Sequence, residues 1–463
     1  MTLPLRVADV GVRPDADEAY FSELRSREFS RLDSAGEAYL DFTGSGLYSE
    51  RQVALNSERM RRGVFGNPHS ENGPSRESTA LIERAKAELL AFLDASPDEY
   101  VVCFTANTSA AIKLVAESFE FGEHAPLVMS ADNHNSVNGI REFARARGAR
   151  VHYIQLDDKL RMESPHQTLR LLTSGAGGLL AYPAQSNFSG VKHPLELIST
   201  AQRFGYTVLL DAAAFLPTNK LSLTQFPADF VALSAYKMAG YPTGVGALVA
   251  RRRALARLRR PWFAGGTVEY ASVQHGRHLM RAGAEGFEDG TPAFLSIASL
   301  GDALAFLEDV GIDRISRHVT RMTTIFINGL RSLRRRDGSP LVTVYGPGPS
   351  TDRGGTVAFN IRGRERAAVP FDIVVDRARD EGVSLRGGCF CNPGASEAAF
   401  RFRVAESASC LQAVSESGFS IEKFAECMGH HVPVGAVRAS FGVASNRRDV
   451  DRALRVAASL TNL

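Results

Sequence analysis

The stretch Ser234-Ala-Tyr-Lys-Met-Ala-Gly-Tyr-Pro-Thr-Gly244 sets a single lysine, Lys237, among small and apolar residues. Upstream of it, the apolar run Thr207-Val-Leu-Leu-Asp211 ends in an aspartate. A continuous apolar run is typical of a parallel strand buried on both faces, so Asp211 would lie at its carboxyl end, where open α/β sheets bind their ligands. The two stretches together predict an α/β fold with a site at that edge of the sheet.

Lys237 and Asp211 are the two side chains that pyridoxal 5'-phosphate requires of a protein. The cofactor's aldehyde needs an amine with which to form a Schiff base, and its pyridine nitrogen needs a carboxylate that keeps it protonated. Each residue alone also fits a plainer interpretation, as a surface lysine on a loop or as an aspartate satisfied at a strand end. Only their combination predicts this cofactor.

Short apolar runs alternate with longer amphipathic segments from Leu81 to Ala250, which is the pattern of strands and helices in turn. The predicted strands are Tyr100–Thr105, Pro126–Ser130, Val151–Gln155, Gly178–Tyr182, Val208–Asp211, Phe230–Leu233 and Gly246–Ala250. The predicted helices between them are Leu81–Phe92, Ser109–Phe119, Val137–Arg147 and Leu195–Phe204. The sequence therefore predicts a large, mostly parallel seven-stranded sheet that is covered by helices on both faces.

A change of pattern after Val310 predicts a second, smaller α+β domain. Ala293–Val310 and Ile315–Arg334 are predicted helices, followed by the predicted strands Leu341–Tyr345 and Gly355–Asn360. We predict an N-terminal segment, residues 1–40, that packs on the small domain, and a large cofactor-binding domain, residues 41–310. The small C-terminal domain, residues 311–463, would carry a cysteine loop.

The composition is that of a globular enzyme with a large core, since 44% of the 463 residues are hydrophobic and 23% are charged. The net charge of +3, from 54 basic and 51 acidic residues, is too balanced to predict binding to nucleic acid. No leader peptide or membrane span is evident, so we expect a cytoplasmic protein without membrane contact. The five cysteines, an odd number, favour reduced thiols over a disulfide framework.

One concentrated run of charge, Arg251–Arg260, follows a predicted strand. We interpret it as the solvated face of a helix. A surface that binds an acidic partner is the alternative, and it leaves open a non-catalytic binding protein built on the same scaffold.

Two segments that follow predicted strands carry groups suited to the cofactor. Thr105–Ser109 opens a helix, so its hydroxyl and N–H groups would lie where a helix N-terminus attracts a phosphate, unless the segment is an ordinary cap. The segment Asp132–Asn135 brings an imidazole, His134, to the same edge of the sheet. This ring can lie on a planar ligand, although a surface histidine is the alternative.

Two later turns add polar groups. Pro183–Asn187 offers amides to the cofactor's phenolic oxygen, or else forms an ordinary turn. The turn Glu288–Thr291 contains a hydroxyl that would bind phosphate, although a helix cap explains it equally well.

The segment Leu385–Gly394 places two thiols, Cys389 and Cys391, on a glycine-flanked turn with an arginine nearby. This pattern predicts a mobile loop that carries a thiolate. A metal site with Cys427, His430 and His431 is the alternative, but the spacing fits none of the usual zinc patterns, so we predict no metal.

An arginine lies in the alternating segment Val437–Gly442 and would present its guanidinium group to an amino acid carboxylate. A salt-bridged surface arginine is the alternative for this residue, Arg438.

These segments resemble the class V aminotransferase-like cysteine desulfurases, and most closely the desulfurase domain of molybdenum cofactor sulfurases. The resemblance runs from about Tyr39 to Val450. Its motifs, in chain order, are Phe65-Gly-Asn-Pro-His-Ser70, Val208-Leu-Leu-Asp-Ala-Ala213, Tyr236-Lys237, Tyr241-Pro-Thr-Gly244, Phe287-Glu-Asp-Gly-Thr291, Gly388-Cys-Phe-Cys-Asn-Pro-Gly394 and Val437-Arg-Ala-Ser-Phe-Gly442. The resemblance implies fold type I of the pyridoxal phosphate enzymes.

The resemblance also implies a role for each candidate residue. Lys237 would hold the cofactor covalently, Asp211 would pair with its pyridinium and His134 would stack on its ring. The remaining implied assignments are Asn187 at the phenolic oxygen and the substrate, Thr108, Ser109 and Ser234 at the phosphate, Thr291 at the phosphate of the neighbouring subunit's cofactor, Arg438 at the substrate carboxylate and Cys391 as the nucleophile. The assignment of Thr291 implies a homodimer.

The implied reaction converts L-cysteine, or a cysteine derivative, to alanine. The amine of Lys237 would remove the α-proton, and the thiolate of Cys391 would take the substrate sulfur as a persulfide for transfer to a protein or small-molecule acceptor. Another pyridoxal phosphate enzyme on the same fold, such as a C–S lyase, an aminotransferase or an epimerase in a biosynthetic pathway, is the alternative. The resemblance does not identify the acceptor.

Overall fold

The computed structural model describes residues 16–68, 70–172, 177–363, 367–416, 418–429 and 432–460. Its helices are α1 Ala16–Glu28, α2 Ser30–Ser34, α3 Glu50–Arg62, α4 Gly73–Phe92, α5 Thr108–Ser118, α6 Asn135–Asn138, α7 Ile140–Ala146, α8 Pro165–Leu172, α9 Leu197–Arg203, α10 Ala235–Ala239, α11 Arg252–Leu255, α12 Phe294–Val310, α13 Ile312–Ser332, α14 Phe371–Asp380, α15 Pro393–Phe400, α16 Val404–Glu416, α17 Ile421–Met428 and α18 Arg447–Ser459, with a 3₁₀ turn at Gly283–Phe287. Its strands are β1 Ala38–Tyr39, β2 Tyr100–Thr105, β3 Leu127–Ser130, β4 Val151–Ile154, β5 Leu179–Pro183, β6 Thr207–Asp211, β7 Phe230–Ser234, β8 Gly246–Arg251, β9 Val268–Ala271, β10 His278–Met280, β11 Val342–Val344, β12 Thr356–Ile361, β13 Val383–Ser384, β14 Arg386–Gly388 and β15 Ala436–Ser440.

The large sheet has seven strands in the order β2-β8-β7-β6-β5-β3-β4. Strand β8 runs antiparallel to both of its neighbours, and the other pairs are parallel. The predicted mostly parallel α/β fold is therefore confirmed. Because β2 and β7 both run antiparallel to β8, they run in the same direction as the parallel strands. The carboxyl ends of β2, β3, β5, β6 and β7 therefore lie at one edge of the sheet.

Both faces of this sheet are covered by apolar side chains. In β6, Val208 and Leu210 belong to one buried cluster, whereas Leu209 between them belongs to a second cluster on the opposite face. This alternation explains why the strand has no polar residue between Thr207 and its final aspartate, since neither face meets water there. Asp211 is thus the residue with which the strand presents a functional group at its carboxyl end.

The predicted helices form, apart from one that is divided, and the main change of bounds is in α4, which begins at Gly73 and not at Leu81. The continuous helix predicted over Val137–Arg147 is wrong, because the chain forms α6 and α7 on either side of Gly139. Glycine is a weak helix former, so a division at this residue costs little.

The second sheet has four antiparallel strands in the order β11-β12-β15-β14. Helix α1 is tied to this part of the chain by Arg25, whose Nη1 donates to the carbonyl oxygen of Ala444 at 2.5 Å and to Oδ2 of Asp449 at 2.7 Å. Strand β1 pairs in parallel with β13. The domain boundaries themselves stay a prediction. Among the described residues, no helix combines the length and apolarity that crossing a membrane would require.

Two expectations about the surface are wrong. Cys410 and Cys427 form a disulfide between α16 and α17, with their Cα atoms 5.6 Å apart, although we expected reduced thiols. An odd cysteine count does not exclude a pair, and the packing of α16 on α17 brings these positions together. The run Arg251–Arg260 is not one solvated helix, because helical structure ends at Leu255 and the side chain of Arg260 is 3% exposed.

We expect His318 to make the stability of the protein depend on pH. The ring stacks on Phe21 at 3.8 Å and donates through Nε2 to the carbonyl oxygen of Ser445 at 2.8 Å, and burial lowers its pKa to about 4. The unfolded chain therefore binds a proton between pH 6.5 and 4 that the folded chain does not. This difference lowers the free energy of unfolding by about 2 kcal/mol between pH 7 and pH 5.

Urea unfolding at the two pH values measures this effect. Replacement His318→Gln should remove most of the pH dependence, whereas His166→Gln at an exposed position of α8 should leave it unchanged. An equal pH dependence in His318→Gln and the parent protein would contradict the assignment.

Candidate active site

The candidate site is built from loops that follow adjacent strands at the carboxyl edge of the large sheet. Asp211 at the end of β6 lies in register with Pro183 of β5 and with Ala232 of β7. Lys237 follows β7 in α10, and His134 follows β3 at the start of α6. The order of the strands therefore brings together residues that are far apart in the sequence.

Lys237 and Asp211 interact electrostatically across the site. Burial lowers the pKa of the Lys237 amine. The Asp211 carboxylate raises this pKa, whereas the guanidinium groups of Arg438 and Arg386 lower it further. Oδ1 of Asp211 accepts the Ala213 backbone N–H at 3.0 Å, and we find no partner for Oδ2 within the described part of the chain. The lysine is thus more readily neutral than an exposed one, and a carboxylate oxygen is available beside it.

His134 presents a neutral ring with a fixed orientation. Its Nδ1 accepts the Ser136 backbone N–H at 3.1 Å, which places the ring proton on Nε2. Burial lowers its pKa, with a smaller opposing effect from Asp211. The ring therefore stays uncharged at neutral pH, as stacking on a planar aromatic ligand requires.

Hydroxyl groups gather at the N-terminus of α5. Oγ of Ser234 accepts the Thr108 backbone N–H at 2.9 Å and lies 2.6 Å from Oγ1 of Thr108. Oγ of Ser109 lies 2.6 Å from Oγ of Ser136, which in turn contacts Nδ1 of His134 at 2.9 Å. The predicted phosphate residues thus share one hydrogen-bonded group with the predicted stacking histidine.

The loop before α5 passes very close to β8. Asn107 caps the helix by accepting the Ala110 backbone N–H at 3.0 Å. A Cβ atom at Gly246 would lie 2.4 Å from the backbone of Asn107, so only glycine permits this approach. The turn before the helix is therefore fixed by the strand beneath it.

Asn187 and Arg438 meet behind the cysteine turn. Nη1 of Arg438 donates to the Asn187 carbonyl oxygen at 2.9 Å, and its guanidinium carbon lies 4.7 Å from the centre of the Phe390 ring. Arg438 is 2% exposed, so it is not the surface arginine of the alternative interpretation. The amide of Asn187 donates through Nδ2 to the Phe390 carbonyl oxygen at 2.7 Å.

Asp41, which the sequence did not single out, and Arg386, the arginine noted beside the two thiols, complete this region. Arg386 of β14 lies directly opposite Arg438 of β15, a pairing of like charges that destabilises a sheet on its own. The Asp41 carboxylate accepts from Nη2 of Arg438 at 2.8 Å and from Nη2 of Arg386 at 2.6 Å. One carboxylate therefore holds both guanidinium groups, and Asp41 has no motif that would have revealed this role.

The thiol of Cys391 is exposed on a turn that is firmly held. Phe390 and Cys391 both have φ of 55°, the left-handed region that non-glycine residues rarely adopt, and each is tied through its carbonyl oxygen. The Cys391 carbonyl oxygen accepts the Asn135 backbone N–H at 2.7 Å, and the Phe390 oxygen accepts from Asn187. Bonds to two other loops therefore hold the backbone of the turn in this structure, and the mobility of the loop stays a prediction.

The second thiol of the turn has a different environment. Cys389 is partly buried and donates through Sγ to the Val434 carbonyl oxygen at 3.1 Å, and burial raises its pKa. Cys427, which the metal alternative would need, is joined to Cys410. The other two ligands of that alternative, His430 and His431, lie outside the described residues. The exposed Cys391 is thus the better nucleophile of the pair.

Thr291 lies apart from the other candidate residues. Its Oγ1 accepts from Nδ2 of Asn67 at 3.4 Å, and the residue is exposed. In the described part of the chain we find no contact between Thr291 and the group around Lys237.

The arrangement fits pyridoxal 5'-phosphate. The available oxygen of Asp211 suits a pyridinium N–H, the hydroxyls at the N-terminus of α5 suit a phosphate, and the neutral ring of His134 suits a stacked aromatic ring. The buried amine of Lys237 suits the aldehyde. Each polar part of the cofactor thus has a group of matching chemistry.

Comparisons with known proteins agree with this site. The family model described as aminotransferase class-V matches residues 38–453. Molybdenum cofactor sulfurases of Drosophila willistoni and Solanum lycopersicum are 35% and 34% identical, over 94% and 92% of this chain but only 60% and 55% of their own length. The chain therefore spans little more than half of these curated relatives.

Two solved structures share the fold. The apo structure of a cysteine desulfurase from Thermococcus onnurineus NA1 is similar with a TM-score of 0.76 at 25% identity, covering 95% of this chain and 98% of that one. The cysteine desulfurase CsdA from Escherichia coli has a TM-score of 0.74 over the same shares of the two chains, and at 21% identity it supports the fold alone.

Proposed function

Because this chain belongs to the class V aminotransferase family, whose members depend on pyridoxal phosphate, we propose that it is a cysteine desulfurase that forms a persulfide on Cys391. The observation that carries the proposal is the position of Cys391. It is an exposed thiol on a fixed turn, close enough to Lys237 for its charge to affect the pKa of that amine. An aminotransferase has no need of such a thiol.

Each residue of the site has its own proposed role in the reaction. Pyridoxal phosphate, when bound, would store the electrons that are released when a proton leaves the α-carbon of an amino acid. The Lys237 amine, whose pKa is lowered by burial, would accept that proton. The cofactor would be held by Asp211, His134 and the hydroxyls of Thr108, Ser109 and Ser234. The substrate would be oriented by Asn187 and Arg438.

Sulfur transfer is then a displacement at the substrate sulfur. The Cys391 thiolate forms a bond to that sulfur, the bond between the sulfur and the β-carbon breaks, and the carbon retains the electron pair and takes up a proton. The products are alanine and a Cys391 persulfide, so cysteine plus thiol is balanced by alanine plus persulfide. A thiol of the acceptor would remove the outer sulfur by exchange.

The proposal includes a homodimer, in which Thr291 would reach the phosphate of the second subunit's cofactor. Its support is an exposed apolar surface on the ribbon β9–β10, where Tyr270 and Leu279 face each other in register and are 58% and 62% exposed. Such a surface is typical of an interface between subunits.

Sedimentation tests the dimer. The protein should sediment at twice its chain mass of 50.2 kDa, and the double variant Tyr270→Asp with Leu279→Asp should sediment as a monomer. Glu269→Gln, on the opposite face of the same strand, is the matched control. A monomeric parent protein would contradict the proposal.

A product assay with purified protein, added pyridoxal phosphate and L-cysteine tests the activity itself. We expect alanine in an amount equal to the sulfur released by reductant. Pyruvate in place of alanine would identify a lyase and overturn the proposal. The sulfur acceptor and the cytoplasmic location stay predictions.

A further inference from the structure

A buried carboxylate that the proposed chemistry does not use lies directly beneath the cysteine turn. Asp132 follows β3 and has a relative exposure of 0%. Its Oδ1 accepts from Oγ of Ser186 at 2.7 Å and from Nδ2 of Asn392 at 2.6 Å, and its Oδ2 lies 2.8 Å from Nε2 of His193. A buried carboxylate is costly unless its oxygens are satisfied, so the three donors and Asp132 hold one another in place.

Asn392, the residue after Cys391, uses both ends of its amide. Its Oδ1 caps α15 by accepting the Ala395 backbone N–H at 3.2 Å. Its Nδ2 donates to Asp132 and also to Oδ1 of Asn187 at 3.0 Å. The bond to the carboxylate is charge-assisted and is thus the stronger of the two.

The same carboxylate also orients the loop on the other side of the turn. Ser186, which donates to Asp132, accepts the backbone N–H groups of Phe188 and Ser189 at 3.2 and 3.0 Å. These bonds shape the loop that carries Asn187, and Asn187 holds the Phe390 carbonyl oxygen. Asp132 therefore contacts Asn392, on one side of Cys391, directly, and it is connected to Phe390, on the other side, through Ser186 and Asn187.

We propose that Asp132 is a positioning residue that holds Cys391 in reach of the substrate sulfur, acting through Asn392 on one side and Ser186 on the other. The inference rests on the proposed role of Cys391. Two successive residues in the left-handed region persist only where their surroundings hold them, and Asp132 is the centre of those surroundings. A displacement of about 1 Å in a reacting group costs about 100-fold in rate.

The variant Asn392→Asp removes the donor that binds Asp132, together with the bond from the same donor to Oδ1 of Asn187. An aspartate still caps α15, because its oxygen accepts the Ala395 N–H as the asparagine does. It places a second carboxylate against Asp132, however, and so breaks the tie. We expect kcat for alanine formation to fall about 100-fold while the cofactor remains bound, as its absorbance will show.

A second readout does not depend on turnover. Amide hydrogen exchange of residues 389–392, measured without substrate, should be faster in Asn392→Asp than in the parent protein. The matched control is Asn72→Asp, which retains the cap of α4 through the Ser75 N–H and should leave both measurements unchanged. If the parent protein makes no alanine, the proposed function fails, but the exchange measurement still tests the positioning role.

In the double variant Asp132→Asn with Asn392→Asp, which we call the exchanged pair, position 132 carries the amide donor and position 392 carries the carboxylate acceptor. It should recover alanine formation by about 10-fold over Asn392→Asp alone, the scale of one hydrogen bond to a charged group. Slower amide exchange should accompany the recovery. The proposal is overturned if Asn392→Asp behaves like Asn72→Asp in both the rate of alanine formation and the rate of amide exchange.

Discussion

Replacement of Cys391 by alanine should abolish alanine formation from cysteine, by about 1,000-fold or more, while the cofactor remains bound. Loss of a nucleophile has effects on this scale because no neighbouring group replaces its attack on the substrate. The contacts that hold the turn involve the carbonyl oxygens of Phe390 and Cys391 and the side chain of Asn392, so the variant retains the local fold. The measurement is the rate of alanine release, together with the visible absorbance of the bound cofactor.

The neighbouring thiol supplies the matched control. Cys389→Ser retains a donor for the Val434 carbonyl oxygen and should form alanine at nearly the parent rate. A loss of activity in Cys389→Ser with activity retained in Cys391→Ala would exchange the roles of the two cysteines. Activity retained in both would show that sulfur leaves without a protein nucleophile.

Replacement of Lys237 by alanine has the second large effect. The amine is buried, and the charges of Asp211, Arg438, Arg386 and Cys391 all act on it, so no other lysine in the described part of the chain shares its surroundings. We expect Lys237→Ala to lose the absorbance that depends on a covalent link to the cofactor. Exchange of the substrate α-proton with solvent should slow by at least about 100-fold, the usual contribution of a positioned base.

Lys220→Ala, at an exposed position after β6, is the control for this variant and should leave both measurements unchanged. Proton exchange at the parent rate in Lys237→Ala would assign the base to another group. His134 and Asp211 would then be the residues to examine, because both interact electrostatically with the same amine.

The sequence predicted those parts of the structure that local pattern determines. The apolar run before Asp211 identified β6, because a strand buried on both faces admits no polar residue, and similar runs identified the other strands of the large sheet. The same reasoning placed His134 and Lys237 at one edge, since parallel strands end together. A divided helix at Gly139 was missed because the apolar spacing continues across the glycine.

Contacts between distant parts of the chain were beyond that reasoning. Asp41 holds Arg386 and Arg438 although it lies more than three hundred residues before either of them in the sequence. Asp132 was part of a quoted segment, but its bond to Asn392 exists only once the cysteine turn meets the loop after β3. The bonds of the cysteine turn to two other loops were missed for the same reason, because flanking glycines indicate local freedom and carry no information about tertiary contacts.

The central claim is that sulfur from cysteine is held on Cys391. Mass spectrometry of the protein after brief treatment with L-cysteine, without reductant and with digestion into peptides, tests it directly. We predict that the peptide containing Cys391 gains the mass of one sulfur atom, and that this gain disappears on reduction and in Lys237→Ala. An unmodified Cys391 peptide, or a sulfur atom found on Cys389 or Cys103 instead, would contradict the claim.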